Sequence, residues 1–219
     1  MPQPYLRAEN LAHAFDYPLY ADVSLELHGG ESVAVMGRSG SGKSTLLHTL
    51  AGLIEPLEGR VELFGKDLYG MREEEKERLR RYRTGIVFQQ HYLFKGMTGL
   101  ENVEIAALLA KEPLDEEIFR RLEIDEVIGQ KVSELSGGQQ QRVSLARVLS
   151  KKPRIIFADE PTGNLDRETS ELVMRIMLEY VLQEGAALFV VTHDREIAEG
   201  CDRRYLLENR QLEPIENGI

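Results

Sequence analysis

The 219-residue sequence predicts an α/β fold, a core of buried parallel strands with an antiparallel β layer on its N-terminal side and a helical segment inserted between core strands. Three observations predict it. SVAVMG, TGIVFQ, RIIFADE and AALFVVTHD are short apolar runs flanked by helical stretches, and strands buried on both faces read as continuous rather than alternating hydrophobic runs. LRAENLAHAF, DVSLELHGG and GRVELFG instead alternate, as half-exposed strands do. Residues 96–145 carry helical but no strong strand signals, which marks an inserted helical subdomain within one domain spanning 1–219.

In chain order, LRAENLAHAF and DVSLELHGG open the antiparallel layer, and SVAVMG is the first core strand, followed by the helix STLLHTLAGL. GRVELFG returns to the antiparallel layer. MREEEKERLRRYR at 71–83 reads as a solvated charged helix in which Glu74 can pair with Arg78 and Glu77 with Arg81. TGIVFQ is the second core strand. In the insert, DEEIFRRLEIDEVIG offers Asp115 as N-cap with acidic residues in the first turn. QQQRVSLARVLSK has helical spacing of Val143, Ala146, Val148 and Leu149, and Ser136 with Gln139 forms an S-x-x-Q capping box before it. RIIFADE and AALFVVTHD complete the core, and RYLLENRQLEPI reads as a closing hairpin.

Composition is that of an ordinary globular protein, 42% hydrophobic. A net charge of −10 argues against a protein whose main work is gripping nucleic-acid backbone, so no nucleic-acid partner is expected. The single cysteine, Cys201, excludes an intramolecular disulfide and a Cys-based zinc site, and fits a reducing cytoplasm. MPQPYLRAEN has no apolar signal region, and the longest apolar runs fall far short of a membrane span.

Chemistry concentrates at the ends of the apolar runs. GRSGSGKS at 37–44 matches G-x-x-x-x-G-K-[ST] between a strand and a helix, the context of a phosphate-binding P-loop. Backbone N–H groups from Arg38 through Ser39, Gly40, Ser41, Gly42 and Lys43 to Thr45 would cradle phosphates, Lys43 would reach the β/γ oxygens, and Ser44 would hold Mg²⁺. RIIFADE ends in two carboxylates. Asp159 suits Mg²⁺ through water and Glu160 suits a general base on an attacking water, because adjacent residues at a strand end point in different directions. Gln89 and His193 end the other two runs, so Gly37, Gln89, Asp159, Glu160 and His193 would meet on the carboxyl edge of one sheet, where α/β proteins bind ligands. LSGGQQQR places Gly137 and Gly138 at a helix start, either as a tight entry turn or as bare backbone to which an anion can come close.

These motifs resemble, in order and over essentially the whole chain, those of the ATP-binding cassette (ABC) ATPases. GRSGSGKS is similar to their Walker A motif, RIIFADE to Walker B, LSGGQ to their signature, Gln89 to the Q-loop glutamine, GNLD at 163–166 with Asp166 to the D-loop, and His193 to the switch histidine. The resemblance implies a P-loop NTPase core, ATP and Mg²⁺ as ligands with Ser44, Gln89 and Asp159 around the metal, and ATP hydrolysis through Glu160, His193 and Gln89. It also implies head-to-tail pairing of two copies, so that Ser136, Gly137, Gly138 and Gln139 of one cap the nucleotide on the Walker A of the other. The family stacks an aromatic residue on adenine; Phe15 is the first choice here and Tyr17 the second. DEPTGNLD and ENV at 101–103 resemble the clade of lipoprotein-releasing (Lol-type), cell-division and macrolide-efflux ATPases. FDYPLYADVSLEL and HYLFKGMTGLENVEIAALL look most like the lipoprotein-releasing branch, which implies integral-membrane partner subunits and a peripheral place on the cytoplasmic face of the inner membrane. Tyr92, Leu93, Phe94 and Met97 are read as an exposed docking surface for that partner or, equally, as a covered loop core. Soluble cassettes acting on DNA or ribosomes are the alternative class.

Overall fold

The computed structural model describes residues 3–163 and 165–215. Two sheets carry the chain. The first is antiparallel, ordered β2 (Pro18–Leu27), β1 (Leu6–Ala14), β4 (Glu58–Leu63), β5 (Lys66–Asp67). In β1 the inward residues Leu6 and Ala8 are followed by Leu11 and His13, a change of parity that a strict two-residue alternation cannot accommodate. The pairing register shifts between Ala8 and Leu11, with Asn10 at φ 50°, so a bulge returns the second half of the strand to the core.

The second sheet is ordered β10 (Gln211–Pro214), β9 (Arg203–Glu208), β3 (Ser32–Met36), β8 (Ala187–Val191), β7 (Ile155–Asp159), β6 (Thr84–Val87). All its pairs are parallel except β9 with β10. The closing hairpin is therefore present, and its first strand also extends the parallel sheet beside β3, a pairing the sequence reading did not include. Each central strand feeds two cores. Val33, Val35, Phe157 and Phe189 face the antiparallel sheet and Leu46, Leu47 and Leu50 of helix α1 (Lys43–Leu50), whereas Ala34, Ile156, Leu188 and Val190 face the helices on the other side. Burial on both faces explains the unbroken apolar runs, and each fully buried leucine contributes about 1.5–3 kcal/mol.

Helix α2 (Glu73–Tyr82) buries no residue, as its charge predicts, but its ion pairs are Glu73 with Arg80 and Glu75 with Arg72 and Lys66, in place of Glu74–Arg78 and Glu77–Arg81. The helical stretch comprises α3 (Gly99–Ala110), α4 (Glu117–Arg121), a 3₁₀ turn at Val132–Glu134 and α5 (Gly137–Leu149). The N-cap position of α4 is Glu116, which makes no side-chain cap bond, in place of the expected Asp115; Asp115 Oδ1 instead accepts from the Glu117 N–H at 3.0 Å at the start of a helix only five residues long. Helix α5 runs on through position 145, and Val148 packs so closely on β6 that a Cβ at Gly85 would stand 2.5 Å from its Cγ1. Leu93 is not part of an exposed surface. It is buried in the core with Val87, Val103 and Val143, while Tyr92 and Phe94 on either side are exposed and Met97 is half-buried. Helices α6 (Arg167–Glu184) and α7 (Arg195–Glu199) flank β8, and among the described residues no helix is long and apolar enough to cross a membrane.

Candidate nucleotide-binding site

The ends of β3, β6, β7 and β8 meet at one edge of the parallel sheet, and a cleft of about 560 Å³ opens there. Its walls include Phe15, Tyr17, the loop from Gly37 to Thr45 apart from Ser41, Gln89, Glu160 and His193. Glycine is required at two loop positions. A Cβ at Gly37 would lie 2.7 Å from the Leu207 carbonyl, and Gly42 holds a left-handed φ of 97°, where a Cβ would stand 3.0 Å from Leu19 Cβ. Gly42 is also the N-cap of α1 and supplies no side-chain acceptor, so the first-turn N–H groups of that helix face the cleft uncapped and, with the helix dipole, form an anion site.

The Lys43 side chain folds back over the loop, its ammonium donating to the Gly37 carbonyl at 2.9 Å and the Arg38 carbonyl at 3.0 Å. Ser44 Oγ donates to Asp159 Oδ1 at 2.8 Å. His48, one turn further along α1, directs Nε2 to within 3.5 Å of Asp159 Oδ2, and its ring packs near Phe88. Burial raises the Asp159 carboxyl above its ordinary range. The Ser44 hydrogen bond and His48 oppose this, neighbouring Glu160 adds to it, and Lys43 opposes it more weakly. The two carboxylates do diverge. Glu160 turns away from Asp159, and its Oε2 accepts from His193 Nδ1 at 2.8 Å and from the His193 N–H at 3.3 Å. Glu160 holds a left-handed backbone, φ 44°, pinned by its own N–H on the Val191 carbonyl at 2.9 Å; strain of this kind gathers at functional sites. Gln89 is exposed at the rim, and a Cβ at Gly163 would come 3.3 Å from its Nε2.

Ser41 turns away from the cleft, its Oγ buried close to Gly37. Phe15 and Tyr17 both stand exposed on the cleft wall, Phe15 backed by the His13 ring at 4.8 Å. A second group of sequence-selected residues lies outside this cleft. Ser136 caps α5 as the S-x-x-Q pattern predicts, with Gln139 N–H to Ser136 Oγ at 3.2 Å and Ser136 N–H to Gln139 Oε1 at 2.8 Å. Nothing stands within 4 Å of a Cβ built on Gly137, while one on Gly138 would meet Thr169 at 3.5 Å. Thr169 in turn donates to Asp166, the N-cap of α6, and those bonds hold the exposed Asp166 carboxyl below its ordinary range. Of GNLD, Asn164 lies outside the described residues. The sequence-selected residues therefore form two groups, one around the P-loop and one joining the exposed start of α5 to the cap of α6.

A match to the ABC transporter family model covers residues 20–163, from β2 through the turn after Glu160. The chain belongs to the ABC transporter family. The lipoprotein-releasing system ATP-binding protein LolD of Bordetella pertussis is 39% identical over 222 residues, covering 96% of each chain. YbbA of Escherichia coli K12, described as an uncharacterized ABC transporter ATP-binding protein, is 42% identical over 197 residues, covering 87% of this chain and 86% of its own. Among solved structures, the dimeric post-hydrolysis state of the ATP-binding cassette MJ0796 bound to ADP and Pi superposes with a TM-score of 0.88 at 32% identity, covering 98% of this chain and all of that one. The cassette fold expected from the motif order is thus the one observed. His48 escaped the sequence reading because a lone histidine in a helix carries no motif; only its place one turn after Ser44 signals the carboxylate opposite.

Proposed function

We propose that this cassette binds and hydrolyses ATP between two head-to-tail copies and thereby drives integral-membrane subunits that release lipoproteins from an inner membrane, with the cassette peripheral on the cytoplasmic face. The observation that carries the reading is the division of the site residues. The P-loop cleft gathers Glu160, His193 and the phosphate cradle, while the start of α5, capped by Ser136 and open to solvent at Gly137, lies outside that cleft and would receive the nucleotide presented by another copy. LolD's name supports the lipoprotein cargo.

In this mechanism adenine stacks on Phe15, with Tyr17 beside it, and Lys43 exchanges the Gly37 and Arg38 carbonyls for β/γ-phosphate oxygens. The residues fit Mg²⁺. Ser44 and Asp159 present a hydroxyl and a carboxylate 2.8 Å apart and Gln89 an amide oxygen nearby, an all-oxygen set suited to a hard cation that would neutralise phosphate charge. Glu160 takes the proton of the attacking water, His193 holds that carboxylate in place, and Gln89 orients the water. Ser136, Gly137, Gly138 and Gln139 of the second copy close over the γ-phosphate, with Asp166 at the same interface. Exposed Phe94 lines a groove of about 510 Å³ together with Ile105, Leu109, Arg80 and Arg147, into which a membrane subunit's cytoplasmic helix would dock.

Glu160→Gln loaded with ATP and captured from solubilised native membranes tests this. The expected companions are membrane subunits with few spans and large domains beyond the membrane, and the reconstituted wild-type complex should release lipoproteins on ATP addition. Ribosomal proteins, DNA, or no membrane protein at all would overturn the transporter reading.

A further inference from the structure

Gln141 is only 1% exposed, a polar side chain in a helix whose Val143, Leu145 and Val148 are also buried. Both ends of its amide are occupied. Its Nε2 donates to the Pro161 carbonyl at 2.7 Å, and its Oε1 lies 2.6 Å from His91 Nδ1. A carbonyl can only accept, so the amide nitrogen must face Pro161, the oxygen must face His91, and His91 Nδ1 must carry the proton. Pro161 follows Glu160, which holds a left-handed backbone, and His91 lies two residues after Gln89. The same helix holds the loop at two further points. Ser144 Oγ and an Arg147 nitrogen donate to the His91 carbonyl at 3.2 and 3.1 Å, and the other terminal nitrogen of Arg147 donates to the Tyr92 carbonyl at 2.7 Å.

From this we infer that Gln141 is a positioning residue: it ties the helix whose first turn caps the other copy's nucleotide to the two segments that carry Glu160 and Gln89, so turnover depends on it while ATP binding and pairing of copies do not. The inference rests on the composite-site reading above. Its physical basis is that a buried amide is costly to hold unless both its polar ends are bonded, and here the bonds immobilise the backbone on which the base stands. A displacement of about 1 Å at a reacting group can cost as much as 100-fold in rate.

Three quantities separate the outcomes: kcat for ATP, the ATP dissociation constant of the monomer, and the fraction of ATP-trapped dimer in the Glu160→Gln background. Gln141→Met removes both bonds at nearly constant volume, and Gln141→Glu keeps an acceptor toward His91 while losing the donor to Pro161. Both should lower kcat by about 10-fold or more, with monomer ATP affinity and trapped dimer in the double variants within about twofold of their parents. If Gln141→Met does not fold, Gln141→Glu and His91→Asn carry the same comparison. Turnover near wild type in the Gln141 variants overturns the inference, and so does a kcat loss matched by parallel losses of ATP binding and dimer, which would mark a general packing role. If Glu160→Gln alone forms no ATP-dependent dimer, the composite-site reading itself has failed, a result distinct from failure at Gln141.

Discussion

At the scale of single residues the site is held in a state that is costly to the apo fold. Asp159 is partly desolvated beside Glu160, with only Ser44, His48 and Lys43 to compensate, and its carboxyl is raised. A carboxyl raised in the folded state stabilises the protein at pH values below its unfolded pKa, and that stability is lost as pH rises through the folded value. Asp159→Asn should therefore melt at or above the wild-type temperature at pH 7, the gap should narrow toward pH 4, and the variant's Mg²⁺-dependent ATPase should fall by about 100-fold or more; a lower melting temperature at neutral pH would contradict the account. Most residues of the site were legible because their chemistry is local: GRSGSGKS needs only its own spacing and the strand before it, and Asp159 and Glu160 betray themselves by ending an apolar strand in charge. Gln141 and His48 were not, because their partners, His91, Pro161 and Asp159, are far away in the chain and neither residue breaks a pattern strongly enough to be noticed.

Among the secondary-structure elements, α5 carries the most consequence. Ser136→Ala removes the acceptor for the Gln139 N–H and should cost about 0.5–2 kcal/mol in chemical denaturation, while monomer ATP affinity stays unchanged and turnover falls. Weakened monomer binding of ATP would place the signature in its own chain's site instead. The loop after Gln89 separates two effects that the sequence merged. Leu93→Asp should unfold the protein or lower its melting temperature by many degrees, because a carboxylate would enter the core, whereas Phe94→Asp should leave melting within a degree or two and weaken capture of the membrane subunits. Circular dichroism melts alongside co-purification would reveal the reverse pattern. Strands β3, β6, β7 and β8 were legible as unbroken apolar runs. The parallel pairing of β9 was not, because RRYLLE opens on two arginines and is mostly half-buried, so nothing local marks it as a neighbour of β3. The burial of Leu93 likewise depends on how a loop closes over α3 and α5, which spacing cannot convey.

For the whole molecule, the two groups of functional residues define the account. One chain brings the P-loop, Gln89, Glu160 and His193 to a single cleft and leaves Ser136, Gly137 and Asp166 outside it, the arrangement from which we propose a catalytic unit of two chains. The family and the motif order were readable from sequence; that division was implied there only by resemblance, and it is the geometry of the single chain that now motivates it. The most direct test is the solution mass of the Glu160→Gln protein with and without ATP and Mg²⁺, measured beside the same protein carrying Gly137→Asp. The account predicts a doubling of mass with ATP for Glu160→Gln alone, and a Glu160→Gln, Gly137→Asp variant that binds ATP with unchanged affinity yet remains a monomer. A dimer that forms despite Gly137→Asp, or a monomer that loses ATP binding because of it, would contradict a site shared between two copies.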